Sequence, residues 1–137
     1  DYHWKCQLQG YEIWVEPKSV IYHHGGETLP ASSSNKTYLN YRNSLVLLLT
    51  NYSVTTSFKL FFPRILMDFL ALIREILFIR WNHALAILKA WIWIIIHPRF
   101  LSERRQKLEK THMITNIYQK SIVVKYFFKG FRTYAEL

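Results

Sequence analysis

The chain is poor in cysteine, glycine and proline, with one, four and four of these residues among 137. The single thiol, Cys6, cannot form a disulfide within the chain, so the sequence favours a reducing compartment. A zinc site built from Cys6, His23 and His24 lacks a fourth protein ligand and the usual spacing. The sequence contains no GxGxxG, GxxxxGKS/T, CxxC or HExxH motif, which argues against the phosphate-loop, redox and metalloprotease sites that these motifs build.

Acidic residues are scarce relative to basic ones, and the formal net charge is +9 at pH 7. Half of the residues are hydrophobic and 17% are aromatic. This combination favours a surface that meets anionic lipid. Nucleic acid is the second class of partner for such a balance, and it predicts a steep salt dependence of binding. The cations lie beside long apolar segments, so we expect a membrane surface and no nucleic acid as partner.

The first 52 residues predict a short helix, two short strands and a second helix, and hence an α/β segment. Residues 1–9 suit the short helix, and Gly10 fits the left-handed position just after a helix end. The alternating run 11–16 predicts one strand, and the β-branched run 19–22 predicts another.

A histidine and glycine loop, residues 23–26, follows the predicted strands. We expect residues 29–35 to form a flexible polar connector, because they contain proline, alanine, three serines and asparagine. The next helix is expected to start near Asn40 and to end at Thr50 and Asn51.

Residues 53–137 predict a basic, mostly α-helical region. The apolar periodicity indicates helices over residues 57–80, 82–97, 102–110 and 121–129. Arg64 and Asp68 are spaced as an i,i+4 ion pair on the first of these. Charges interrupt every 20-residue apolar window, so we expect residues 57–110 to lie in a membrane interface rather than to cross it. The alternative is a helical hairpin that buries its apolar faces against itself and the preceding domain.

The first 29 residues resemble the end of the catalytic domain in family 2 glycosyltransferases. That family carries a segment of the type D-L-C-W-R…G-Y…P-x-S-V-V-Y-H-x-G-G-G-T-L. The matching residues of this chain are Asp1-Tyr2-His3-Trp4-Lys5, Gly10-Tyr11, Pro17-Lys18-Ser19-Val20-Ile21-Tyr22-His23 and Gly25-Gly26-Glu27-Thr28-Leu29. Weaker likeness to bacterial, Bacteroidetes-like members covers Arg42-Asn43 and residues 64–71, 86–90 and 121–130. The resemblance implies a GT-A-type catalytic domain that ends in residues 1–52, followed by a membrane-associating region in residues 53–137.

The resemblance implies that His23 binds a divalent metal, Mn or Mg, together with an Asp-x-Asp motif elsewhere in the domain. Asp1 aligns with the last acid of the family's acidic cluster and is expected to orient neighbouring groups or the acceptor. The general base of that cluster would fall two positions before Asp1. We therefore expect the chain to be a C-terminal fragment that is inactive by itself.

Three further residues are candidate substrate-binding groups by the same resemblance. Trp4 either stacks on a sugar ring or packs in the core. Lys5 replaces the family's usual arginine and so loses its planar fork for bidentate contacts. Arg42, at a helix start, either contacts the diphosphate or forms a structural salt bridge to the acidic cluster.

The function implied by the resemblance is inverting transfer of a sugar from a nucleoside-diphosphate donor to a lipid-linked or polysaccharide acceptor. It implies a peripheral location at the cytoplasmic face of the bacterial inner membrane, in the synthesis of cell-envelope polysaccharide. The alternatives are a non-catalytic helical module on a membrane surface and, with less support, a basic nucleic-acid-binding module. Of these three candidate functions, only sugar transfer requires a metal ion and further catalytic residues.

Overall fold

The computed structural model describes residues 1–22, 30, 32–108 and 122–133. This part of the chain forms helices and contains no strand. The helices are α1 (Tyr2–Leu8), α2 (Ser34–Asn51), α3 (Val54–Leu77), α4 (Trp81–Ile96), α5 (Pro98–Lys107) and α6 (Ile122–Phe128).

The predicted α/β segment is wrong, because residues 11–22 form no strand. All of these residues are exposed, and Trp14 and Ile21 each retain 84% of their accessible surface. The backbone hydrogen bond within the segment joins Ser19 N–H to the Glu16 carbonyl and closes a turn. Alternating apolar residues predict a strand only if another strand supplies backbone partners and a face to cover. The described residues supply neither, so the remnant of a GT-A sheet that the sequence predicted is contradicted.

The helices α2 to α5 exist where the periodicity predicted helices, but their limits differ. Helix α2 begins at Ser34 rather than near Asn40, so the last two residues of the predicted polar connector, Ser34 and Asn35, are helical. Pro98 ends the predicted helix before it and also starts α5 at the N1 position, where its fixed φ suits a helix and its missing N–H costs nothing. Gly10 has a φ of +86°, which confirms its left-handed position after α1.

The core lies between α2 and α4, which make the most extensive contact of any helix pair. Leu45 and Val46 of α2 and Ile94 of α4 form its buried centre, and Leu49, Trp91, Trp93 and Leu101 pack around them. Helix α4 also buries Ala84, Ala86 and Ala90. Small side chains let neighbouring helices approach closely, so α2 and α3 can both lie against α4.

A buried carboxylate, Asp68, joins three helices. Arg64 Nε donates to Asp68 Oδ1 at 2.7 Å, and Trp91 Nε1 donates to Asp68 Oδ2 at 3.0 Å. Arg64 also donates to the Ser44 hydroxyl and lies 5.5 Å above the ring of Tyr41. The i,i+4 pair predicted from the sequence is confirmed, and it lies inside the helix packing. Burial raises the pKa of the Tyr41 phenol above its usual 10.0, and the nearby Asp68 carboxylate raises it further.

Helix α3 is turned so that polar residues face the other helices. Its buried residues are Ser57, Asp68 and Glu75, whereas most of its large apolar side chains are exposed.

No single helix in the described ranges is long and apolar enough to cross a membrane, although α4 and α5 together, bent by 71°, pass that test by length and composition.

The buried ion pair is tested by Asp68→Ala. We expect this change to lower the free energy of unfolding by roughly 3 kcal/mol, because it leaves the Arg64 guanidinium largely buried without its carboxylate. Chemical denaturation followed by circular dichroism measures the change. Glu103→Ala, at an exposed position of α5, is the control and should change stability by no more than about 0.5 kcal/mol. Equal effects of the two substitutions would contradict a structural role for Asp68.

Candidate functional site

Asp1 is the meeting point of α1, α2 and α5. Its Oδ1 accepts hydrogen bonds from Arg104 Nη2 at 2.8 Å and from Asn51 Nδ2 at 3.3 Å. Its Oδ2 forms an ion pair with Lys5 Nζ at 3.2 Å. Arg104 Nε also donates to the hydroxyl of buried Thr50. These contacts hold α1 against the C-terminal end of α2.

Arg105 occupies the same helix end from α5. Its guanidinium donates to the carbonyl oxygens of Leu49, in the last turn of α2, and of Tyr52, the residue after the helix. A cation is favoured there because unpaired carbonyls give a helix C-terminus a partial negative charge. Arg104 and Arg105 therefore bind the protein's own helices.

Two open grooves flank Asp1, and we call them the Asp1 grooves. The larger, of about 560 Å³, is lined by Asp1, Arg42, Asn43, Val46, Leu47, Trp93, Phe100 and Arg104. The smaller, of about 360 Å³, is lined by Asp1, Trp4, Ser44, Leu47, Leu48, Asn51, Tyr52, Leu60 and Arg64. Both combine aromatic rings, arginines and amide groups, which suits a ligand that carries both negative charge and hydroxyl groups.

Arg42 is fixed in the larger groove by two aromatic rings. Its guanidinium carbon lies 5.3 Å from the ring centres of both Tyr38 and Trp93. Its Nε and Nη2 donate to Asn43 Oδ1 at 3.1 and 2.9 Å. Cation–π contacts restrict the side chain without neutralising its charge. Arg42 makes no ion pair with Asp1 among the described residues, so the salt bridge weighed from the sequence is not what positions it.

Trp4 lies in the smaller groove with its ring edge-on to Tyr52 at a centroid distance of 4.8 Å. Its indole Nε1 is buried and has no hydrogen-bond partner within the described residues. A buried donor without an acceptor costs free energy, so the nitrogen has an unused capacity for a ligand oxygen. Trp4 thus packs against the protein and also lines the groove.

The predicted residues Asp1, Trp4 and Lys5 therefore lie at α1, against the C-terminal end of α2. Arg42 lies near the middle of α2 rather than at a helix start, because α2 already begins at Ser34, and it lines the larger groove together with Asp1. Lys5 lines a third groove, of about 330 Å³, together with Phe100, Arg104 and Lys107. The Asp1 carboxylate is bonded to Arg104, Asn51 and Lys5, and its role in orienting an acceptor stays a prediction.

The predicted metal ligand, His23, lies outside the described residues. In the ranges that are described, no three His, Cys, Asp or Glu residues come together in a way that could hold a metal ion. Asp1 is the carboxylate that lines the Asp1 grooves. The positive charges of Lys5 and Arg104 beside it disfavour a divalent cation there. The metal site implied by the resemblance depends on His23 and therefore stays a prediction.

Trp93, Phe100 and Arg104 line the larger groove, and the sequence did not identify them as site residues. Their local patterns are those of ordinary helical segments, and only the packing of α4 and α5 on α2 brings them beside Asp1 and Arg42.

No protein-family model, curated protein or solved structure matches this chain. The resemblance carried by residues 1–29 therefore stays a prediction.

The link between α5 and α1 is tested by Arg104→Ala. This change removes the hydrogen bonds to Asp1 and Thr50, so we expect the amides of α1 to exchange with deuterium roughly tenfold faster. Exchange measured by mass spectrometry resolves α1 from α2. Arg105→Ala is the matched control and should accelerate exchange at the end of α2 while leaving α1 less affected. Unchanged exchange of α1 in Arg104→Ala would show that Arg104 does not hold it.

Proposed function

We propose that this chain is part of a glycosyltransferase that moves a sugar from a nucleoside-diphosphate donor to a lipid-linked or polysaccharide acceptor, with inversion. The observation that carries the proposal is that Asp1, which precedes α1, and Arg42 of α2 line one groove although they are far apart in the sequence. The resemblance to family 2 glycosyltransferases marks both residues as site candidates, and the packing of α1 against α2 brings them together. Trp4 and Lys5 follow Asp1 on the same short helix, so their nearness to Asp1 adds no independent support.

The larger groove offers chemistry for the charged part of a nucleotide sugar. Arg42 presents a guanidinium that is held between Tyr38 and Trp93. A planar guanidinium can donate two parallel hydrogen bonds to phosphate oxygens. Arg104 lines the same groove, although its charge is partly offset by Asp1. The groove walls therefore favour a diphosphate, with Trp93 and Phe100 as flat apolar surfaces beside it.

The smaller groove offers chemistry for hydroxyl groups. The unpaired Trp4 indole N–H suits a hydroxyl or ring oxygen of a sugar, and Ser44 and Asn51 lie in the same groove. Asp1 lines both grooves, and its carboxylate accepts hydrogen bonds from Arg104 and Asn51. In this proposal Asp1 positions the acceptor, and the base that removes the acceptor proton is supplied from outside this chain.

A non-catalytic helical module on a membrane surface is the second candidate function. It is favoured by one observation, the exposure of the large apolar side chains of α3. This alternative requires neither bound nucleotide sugar nor any role for His23. Sugar transfer by the complete natural protein separates the two candidates, because only the first predicts it.

The role of Arg42 is tested in the complete natural protein. Arg42→Ala should weaken binding of the nucleotide-sugar donor by about tenfold to hundredfold, because a hydrogen-bonded charge pair is lost. Arg42→Lys should bind the donor with an affinity between those of the unchanged protein and Arg42→Ala, because the charge is kept and the planar fork is lost. Calorimetric titration with a panel of nucleotide sugars measures the affinities. Arg99→Ala, at an exposed position of α5, is the control, and equal affinities for all four proteins would remove Arg42 from the site.

The role of His23 is tested by comparing His23→Ala with His24→Ala, its neighbour. If His23 contributes to a metal site, His23→Ala should lower nucleoside-diphosphate release in Mn or Mg by a factor of about a hundred or more, whereas His24→Ala should retain most activity. The purified 137-residue chain should show no transfer, because its sequence contains no Asp-x-Asp motif. Full activity of His23→Ala would exclude His23 from the site, and transfer by the chain alone would refute the assignment of the base elsewhere.

A further inference from the structure

Helix α3 has the polarity of a helix surrounded by hydrocarbon. Asp68 and Glu75 are buried, and Arg64 and Asp68 bond to Ser44 of α2 and Trp91 of α4, whereas most outward side chains are large and apolar. A surface helix of a protein in water shows the reverse arrangement, with its apolar stripe inward and charges outward. Helices in lipid bury polar groups among themselves and use small residues at their contacts, as α4 does with its three buried alanines.

The turn between α3 and α4 also exposes an apolar side chain, Ile79, and holds it in a strained backbone conformation. Ile79 has a φ of +57°, and Ile79 N–H and Arg80 N–H bond back to the carbonyls of Ile76 and Glu75. This helix ending normally carries glycine, because a β-branched residue is strained there. Ile79 is 74% exposed, so it gains nothing from the protein core. An apolar environment outside the protein gives a physical reason for an isoleucine at this position.

Exposed cations border the outward apolar side chains of α3. Lys59 lies near the start of α3, Arg74 lies near its end, and Lys89 is exposed on α4. Between Lys59 and Arg74 the outward residues carry no charge over about 20 Å at 1.5 Å per residue. This length is shorter than the hydrocarbon core of a bilayer. A helix that lies in the interface, with its lysines and arginines reaching the headgroups, fits these dimensions.

We propose that the outward apolar side chains of α3 and of the turn after it form a surface that lies in the outer hydrocarbon layer of a bilayer with anionic headgroups. We call it the apolar face, and it consists of Phe62, Leu66, Phe69, Leu70 and Ile73 of α3 with Leu77, Phe78, Ile79 and Trp81 at the turn. The net charge of +9 selects lipid over a second copy of the chain, because two strongly basic copies repel each other and anionic lipid attracts them. The inference rests on the polarity of α3 and its turn, and it holds whether or not the protein transfers a sugar.

The first test measures binding of the 137-residue chain to vesicles of phosphatidylcholine with 30% phosphatidylglycerol, by co-sedimentation. The double substitution Phe62→Asp with Phe69→Asp should weaken binding by about tenfold or more, because it places charge in hydrocarbon. The control is Phe127→Asp with Phe128→Asp on α6, since Phe62 and Phe127 are each 71% exposed. Equal loss in both double variants would overturn the proposal, as would full binding in the α3 variant.

The second test uses Ile79→Gly, which should change stability and lipid binding in opposite directions. Glycine relieves the left-handed strain, so the thermal midpoint of unfolding should rise. The loss of an exposed apolar side chain should weaken vesicle binding by about threefold. A purely structural role for this turn predicts no loss of binding from a stabilising change. Unchanged vesicle binding in a stabilised Ile79→Gly variant would exclude the turn from the apolar face.

The third measurement separates lipid from a second copy of the chain. Sedimentation equilibrium without vesicles should give a monomer for the unchanged protein. A dimer that is dissociated by the α3 double substitution, together with unchanged vesicle binding, would assign the apolar face to self-association and overturn the proposal. Vesicles of phosphatidylcholine alone complete the series, because binding should fall when the anionic lipid is omitted. Equal binding to both kinds of vesicle would contradict the role assigned to the bordering cations.

Discussion

The buried Asp68 carboxylate constrains the arrangement of this structure more than any other group. A charge removed from water must be matched by nearby donors, and Arg64 and Trp91 supply them from α3 and α4. Arg64 in turn reaches Ser44 on α2. This cluster sets the rotation of α3 about its own axis. Once its polar side is directed inward, its large apolar side chains have no place except the outer surface, and the apolar face follows from the ion pair.

The same packing creates the Asp1 grooves, and Ser44 and Arg64 of the Asp68 cluster line the smaller of them. Because α2 and α4 pack closely, α5 is placed beside the C-terminal end of α2, where Arg105 binds its free carbonyls and Arg104 reaches Asp1. The larger groove therefore needs α4 and α5 beside α2, and the smaller groove needs α1 and α3 beside α2. A change in how α5 lies on α2 would alter Arg104 and Phe100 together, and with them the shape of the larger groove.

The two proposals concern different surfaces of one helical body, and they fit a single chemical logic. An enzyme that elongates a lipid-linked glycan must hold a charged, water-soluble donor close to an acceptor that stays at a membrane. A basic, aromatic groove suits the first requirement, and an apolar face bordered by cations suits the second. Residues 11–22 lie exposed between α1 and the rest of the chain, and their aromatic and β-branched side chains are covered by no described part of it.

The sequence by itself determined where α3 and α4 lie, the Arg64–Asp68 pair and the glycine after α1, because these depend on spacing along one segment. It also marked Asp1, Trp4 and Lys5, which the structure places beside the end of α2, and Arg42, which lies near the middle of α2 and not at the helix start that the sequence predicted. It did not predict the absence of strands at 11–22, since alternation describes one side of a sheet and cannot provide the other strand. Nor did it identify Arg104, Trp93 and Phe100 in the groove, or the direction in which α3 turns its charges. Those features depend on contacts between helices far apart in the chain, which tertiary packing alone decides.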